Sequence, residues 1–350
     1  MFDVTDLQVP IIAAPMAGGP TTPDLVIAAA RAGGLGFLAA GYASPEAVLA
    51  GINAVAGSGL AFGVNIFAPG RPLRDHTAVQ SYRDALAPLG QRYGVAVPEP
   101  KTCDDDHFAA KLDLVIQRHV PVVSFTFGLP SAAEVDRLHR ADIAVIASIA
   151  DAHDAPAALD VGVDALCVQG MEAGGHRATL DVDATPNTTP TIELLGQVGA
   201  LTKVPLIAAG GIGDGTRIDA CVSAGASAVQ IGTALLDSVE AGTNSVHRAA
   251  LRDTRFADTI VTRAFSGRPA RALRNTFVDV YDPIAPAEYP AIHHLTSPLR
   301  KAAVAAGDCD NVNLWAGTAH HNLPRGSAAG IIAELWSAST TGPRPSRRQM

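Results

Sequence analysis

Eight short apolar runs punctuate the first 240 residues, and most are followed by a stretch with helical signals. They are residues 10–14 (PIIAA), 36–40 (GFLAA), 61–67 (AFGVNIF), 121–125 (PVVSF), 143–148 (IAVIAS), 164–168 (DALCV), 204–209 (VPLIAA) and 227–231 (SAVQI). Runs this short, bounded by glycine and polar residues, read as buried strands. Between them, Thr22 followed by Pro23 marks a helix start that Gly33-Gly34 stops, and Ser44-Pro45-Glu46 opens a second helix in the same way. Strand–helix alternation predicts a parallel sheet. Eight units over this length predict an α/β fold of the closed (β/α)8 kind, a TIM barrel. A doubly wound open sheet competes, but it would place its glycine-rich phosphate loop after the first strand. Here the glycine-rich loop, residues 210–215 (GGIGDG), follows the seventh.

The rhythm breaks twice. Residues 69–119 are longer and more polar, with the acidic cluster Asp104-Asp105-Asp106, and read as an insertion within a barrel spanning 1–240. Residues 241–290 are irregular and read as a smaller second domain or cap, α/β or helical, that carries the basic turn Ser266–Arg271 over the mouth. A helical segment over 291–336, with a helix at 298–306, is expected to return to the barrel. The Pro-, Ser-, Thr- and Arg-containing tail, 337–350, is expected to be disordered.

Composition excludes several classes. A formal charge of −8 with no offsetting basic patch argues against nucleic acid or an anionic membrane as partner. The four cysteines are widely spaced and form no CxxC pair, so they predict free thiols and no metal site. No basic-then-apolar leader opens the chain and no uncharged apolar run reaches spanning length, which predicts a soluble, cytoplasmic protein.

Chemistry is expected at the C-terminal ends of the strands, which form one face in this fold. Asn65, Ser124, Ser148, Gln169, His176 and Gln230 all fall at or just beyond such ends. Gly210-Gly211 and Gly232-Thr233 follow strands seven and eight, where free backbone N–H groups and a helix dipole can receive a phosphate without Lys or Arg. Amides at Asn65, Gln169 and Gln230 suit a ligand with several ring heteroatoms, because an amide both donates and accepts. Phosphate and amides together describe a flavin mononucleotide (FMN) pocket. His176 follows Gly174-Gly175 and brings a group that titrates near neutrality.

The ordered motifs PIIAAPMAGG, FGVNIF, VVSFTFGLP, VQGMEAGGHR, PLIAAGGIGDG, AVQIGT, TRAFSGRPAR and LWAG span nearly the whole chain. In these residues the chain resembles the nitronate monooxygenase family. It differs at Ala178, where the family generally has Gly, and at Thr318, where Gln is usual. The resemblance implies an FMN-dependent TIM barrel with a smaller second domain. It implies flavin contacts from Met16, Asn65, Gln169, Gly174, Gly211, Gln230, Ile231, Gly232 and Thr233, and makes His176 the catalytic residue. The implied reaction is oxidation of an alkyl nitronate, such as propionate 3-nitronate, by O2 to a carbonyl compound and nitrite. A homodimer is compatible with it. An FMN-dependent enoyl-acyl-carrier-protein reductase using NAD(P)H, and a non-catalytic FMN-binding protein, are the alternatives.

Overall fold

The computed structural model describes residues 1–321 and 323–340. Six parallel strands follow in chain order: β1 (Ile11–Ala13), β2 (Leu35–Ala39), β3 (Gly63–Phe67), β4 (Val122–Thr126), β5 (Ala144–Ile149) and β6 (Ala165–Gln169). β7 is only Gly175–His176 and leaves the ring, which β8 (Leu206–Ala209) and β9 (Ala228–Ile231) complete. The barrel closes through β1 and β9, with Ile12 opposite Gln230. This is the expected (β/α)8 barrel.

Side chains alternate in and out along each strand with period two. Ile12, Leu35, Phe37, Val122, Ala144, Ile146, Ala165, Cys167, Ile207 and Ala228 fill the interior. Their neighbours, among them Ile11, Val64, Val123, Val145, Leu166 and Val229, pack outward against the helices. Those helices begin where the caps predict. Thr22 Oγ1 accepts from the Leu25 N–H at 3.1 Å at the start of the helix Pro23–Arg31, and Ser44 caps Pro45–Ala56. At the N-terminal end of the barrel, Val4, Phe2 and Leu7 plug the interior. Ligand access is therefore left to the opposite end, where the inward positions turn polar: Asn65, Ser124, Thr126, Ser148, Gln169 and Gln230.

Two segments cover that end. The helix His76–Tyr93 packs on the helix Ala291–Ala305, and both share one apolar cluster with Phe265 and Phe277. β10 (Thr259–Thr262) and β11 (Ala270–Leu273) form an antiparallel sheet whose third strand is β7. The helix expected at 298–306 instead starts at Ala291, with Pro298 inside it. Proline disfavours a helix interior, and tertiary packing of Ile292, Leu295 and Leu299 overrides that local preference. Of the tail, Ser337 ends the helix Ala328–Ser337, and Ser339 and Thr340 hydrogen-bond to Asp219. Residues 341–350 lie outside the described residues.

Candidate active site

The mouth of the barrel holds a cavity of about 980 Å³. Met16, Asn65, Gln169, Gly174, His176, Gly211, Gln230, Ile231, Gly232 and Thr233 all line it, so the fold brings every candidate residue to one space. They do not all face it for the same purpose.

One wall is made of main chain. Gly210 and Gly211 both have positive φ, +113° and +69°. This turns the chain sharply into Asp214, whose side chain caps the helix Gly215–Ser223 through the Arg217 N–H. The N–H groups of Gly211, Ile212, Gly232 and Thr233 donate to nothing among the described residues. Unpaired N–H groups converging at a helix start attract an anion. The Thr233 hydroxyl is already used, accepting from the Gly317 N–H at 2.9 Å. A Cβ at Gly211 would come within 2.9 Å of the Glu172 Cβ, so this glycine also makes room for Glu172. Glu172 in turn binds Thr191 and Arg217 and fastens the loop after β6 to the one after β8. Gly174 has a similar structural duty, since a Cβ there would collide with the Gly317 nitrogen.

The floor carries the amides. Asn65 is 2% exposed, and its Nδ2 donates to the Ser124 carbonyl at 3.2 Å, which fixes the amide's orientation. Its Oδ1 has no partner among the described residues, and neither does the Gln230 side chain. Gln169 differs. Its Nε2 donates to the His176 carbonyl at 3.0 Å and its Oε1 accepts from the Ala178 N–H at 2.9 Å. It therefore clamps the histidine's loop, although it also lines the cavity.

His176 is placed by β7, paired with Ala270 of β11. Part of its surface opens to the cavity, but the ring lies deep, flanked by Phe127, Tyr289 and Trp315 at centroid distances of 5.4, 6.1 and 5.2 Å. Its Nε2 lies 2.8 Å from the Ser266 Oγ. Ser266 also meets the Arg268 carbonyl at 3.2 Å and the Arg268 N–H at 3.3 Å. The network is complete when Nε2–H donates to Ser266 and Ser266 donates to the Arg268 carbonyl, which leaves the Nδ1 lone pair of His176 free. Burial, with the Arg268 and Arg300 charges adding to it, pulls the imidazole pKa down to about 3. At neutral pH the ring is uncharged.

Several of these partners were not singled out in the sequence. Ser266 and Arg268 belong to the basic turn expected over the mouth, yet Arg268 is 1% exposed. Its guanidinium lies 4.3 Å from the Phe127 ring and donates to the Thr179 carbonyl at 2.6 Å. Tyr289 and Arg300 carried no motif signal, whereas Phe127 lies within the run VVSFTFGLP without a role assigned to it. Thr126 could have been found, because it continues the inward period from Ser124.

A parallel barrel with its polar residues, glycine turns and imidazole gathered at the C-terminal mouth defines a (β/α)8-barrel enzyme. The chain belongs to the nitronate monooxygenase family, whose model matches residues 2–337, and it is an oxidoreductase. It is 36% identical over 324 residues to a probable nitronate monooxygenase of Staphylococcus aureus (strain JH9), covering 91% of this chain and 90% of that one. Its structure is similar to that of nitroalkane oxidase from Streptomyces ansochromogenes, with a TM-score of 0.93, 42% identity and coverage of 96% and 97%. It is also similar to FabK from Thermotoga maritima, with a TM-score of 0.72, 25% identity and coverage of 95% and 93%. Family and structural neighbour together support oxidation of nitro compounds. Among the described residues no helix is long and apolar enough to cross a membrane.

Proposed function

We propose that the protein oxidises alkyl nitronates, propionate 3-nitronate or similar nitro compounds, with O2 to a carbonyl compound and nitrite, using non-covalent FMN. The observation that carries this reading is the pairing, in one cavity, of an uncommitted N–H cradle with an imidazole kept neutral. The residues present fit FMN. The N–H groups of Gly211, Gly232 and Thr233 would take its phosphate, and the free Oδ1 of Asn65 and the Gln230 amide suit its ring heteroatoms. Met16, Gly174 and Ile231 line the same space. Bound FMN would supply the redox chemistry that side chains lack.

The protein's own part is to bind, orient and manage a proton. A base whose conjugate acid has a pKa near 3 removes a proton from carbon poorly, because catalytic efficiency peaks when the pKa lies near the working pH. The site therefore favours a substrate that has already lost its proton, the nitronate. Toward it, the neutral ring of His176 would shape the space the nitronate occupies, its Nδ1 lone pair open to a donor. The aromatic wall of Phe127, Tyr289 and Trp315 would exclude water.

The test is the chromophore and what reduces it. Purified protein should release FMN on heating, with no FAD, and anaerobic mixing with a nitronate should bleach the flavin. A colourless protein that ignores added FMN would overturn the reading. Rapid reduction by NADPH with no response to nitronates would replace it with an enoyl reductase.

A further inference from the structure

The helix Ala291–Ala305 presents two chemically different faces. Ile292, Leu295, Thr296 and Leu299 are buried against the helix His76–Tyr93 and its apolar cluster. His293, His294, Ser297, Arg300, Lys301 and Val304 line the cavity.

Arg300 stands apart from the other arginines around the mouth. Arg177, Arg263, Arg268 and Arg271 each donate to backbone carbonyls, of Gly170, Val182, Thr179 and Met171 respectively, and none of the four lines the cavity. Arg300 does line it, and its partners are neutral. Nε donates to the Thr296 Oγ1 at 3.2 Å, and Nη2 donates to the His293 Nδ1 at 3.2 Å and the His293 carbonyl at 3.3 Å. Nη1 donates to nothing, and no carboxylate lies within 4 Å, among the described residues. His293 is itself held, stacked on Tyr42 with centroids 3.9 Å apart and planes 6° apart. The guanidinium is thus rigidly supported and uncompensated. Burial pulls its pKa down to about 10, so it stays charged at neutral pH.

A half-buried charge left without a counter-ion is costly, and a bound anion reduces that cost. The uncommitted Nη1 offers two N–H donors in the guanidinium plane, which suit an anion whose charge is shared over two oxygens. A nitronate has this form, with its charge shared by two oxygens on one nitrogen. The glycine cradle does not compete for it, because that cradle sits on the loops after β8 and β9 and suits a phosphate. Of the two lysines on the cavity wall, both are exposed, and Lys101 pairs with Asp104 at 3.6 Å.

We propose that Arg300 is the receptor for the nitronate oxygens, a specificity-determining residue that makes the cavity select planar, delocalised anions over their neutral nitroalkane parents. The assignment rests on the functional reading above. The neutral partners Thr296 and His293 aim the guanidinium without quenching it.

The test uses flavin-loaded wild type, Arg300→Gln and Arg300→Lys. In Arg300→Gln the KM for a pre-formed nitronate should rise roughly 10- to 100-fold, the range for losing hydrogen bonds to a charged group. The KM for the matching neutral nitroalkane should change little. Arg300→Lys should recover part of the loss. Inorganic nitrate, a planar anion, gives a readout independent of turnover: it should perturb the flavin spectrum of wild type and leave that of Arg300→Gln unchanged. Equal KM rises on both substrates, or unchanged nitronate KM and nitrate binding, would overturn the assignment. Should Arg300→Gln fail to fold, Arg300→Lys decides alone, since it keeps the charge and loses the two-donor edge. If wild type oxidises no nitro compound, the functional reading fails, while the nitrate titration still decides the role of Arg300.

Discussion

The two walls of the cavity reach the same end, readiness for an anion, by opposite means. The wall after β8 and β9 uses main chain, with positive φ at Gly210 and Gly211 and N–H groups left unpaired. The other wall uses half-buried side chains: His176 held by Ser266, and Arg300 held by Thr296 and His293. The first is local, so its geometry is encoded within a few residues. The second joins distant segments at His176, 90 residues from Ser266, whereas Arg300 is held within its own helix by residues four and seven positions earlier. A local wall tolerates loss of any one side chain. An assembled wall fails when one member is removed, because the others are then buried without partners.

The largest expected break is at His176. His176→Asn keeps polarity and approximate size but takes up no proton near neutral pH. Flavin should remain bound. Because a ring with a pKa near 3 is a poor base, turnover of a neutral nitroalkane and of a pre-formed nitronate should fall together, by up to about 10²-fold from lost positioning. A loss of about 10²- to 10⁴-fold confined to the neutral nitroalkane would show a base instead. Equal losses on both substrates in steady-state assays would mean orientation only, and wild-type rates on both would make His176 a bystander.

A smaller effect is expected on the main-chain wall. Gly211→Val forces a β-branched residue into φ +69° and against Glu172, a strain of about 1–3 kcal/mol, so FMN affinity should weaken roughly 5- to 150-fold. Gly232→Ala is the sharpening control. Its new Cβ would meet Ala14 at 3.5 Å, an ordinary contact, so an equilibrium titration should give affinity much closer to wild type. Loss of flavin in both variants would mean that the ligand itself, rather than the backbone conformation, occupies the space.

The smallest effect is on stability against pH. Burial lowers the pKa of His176 to about 3 and of His247 to about 4, against 6.5 for an ordinary histidine. As pH falls below 6.5, the unfolded chain binds protons at these residues that the folded chain refuses, so stability decreases toward acid. From pH 7 to pH 6 each should cost roughly 1 kcal/mol or less. Denaturant melts of His176→Asn should show a shallower pH slope over that interval, and an identical slope would mean that the folded histidine titrates normally.

Much of this was readable from the chain alone. Short apolar runs, the Thr22 and Ser44 caps and the glycine stops are short-range signals, and the eight staves and the side of the barrel that must be functional follow from them. The amides and glycines of the mouth lie on those strand ends, so Asn65, Gln169, Gln230, Gly211 and Gly232 were identifiable as a group. What each does was not. Gln169 clamps a loop while Gln230 has no protein partner, although both sit at strand ends as polar amides. Ser266 and Arg268 stood in a basic turn expected over the mouth, without individual roles, and Arg300 stood in a helical segment with no signal of its own. Their roles depend on which carbonyl, ring or imidazole lies beside them, and only packing of the cover on the barrel decides that. Periodicity and turn chemistry are set by neighbours in sequence. Burial, and with it the protonation of His176 and the uncompensated charge of Arg300, is set by neighbours in space.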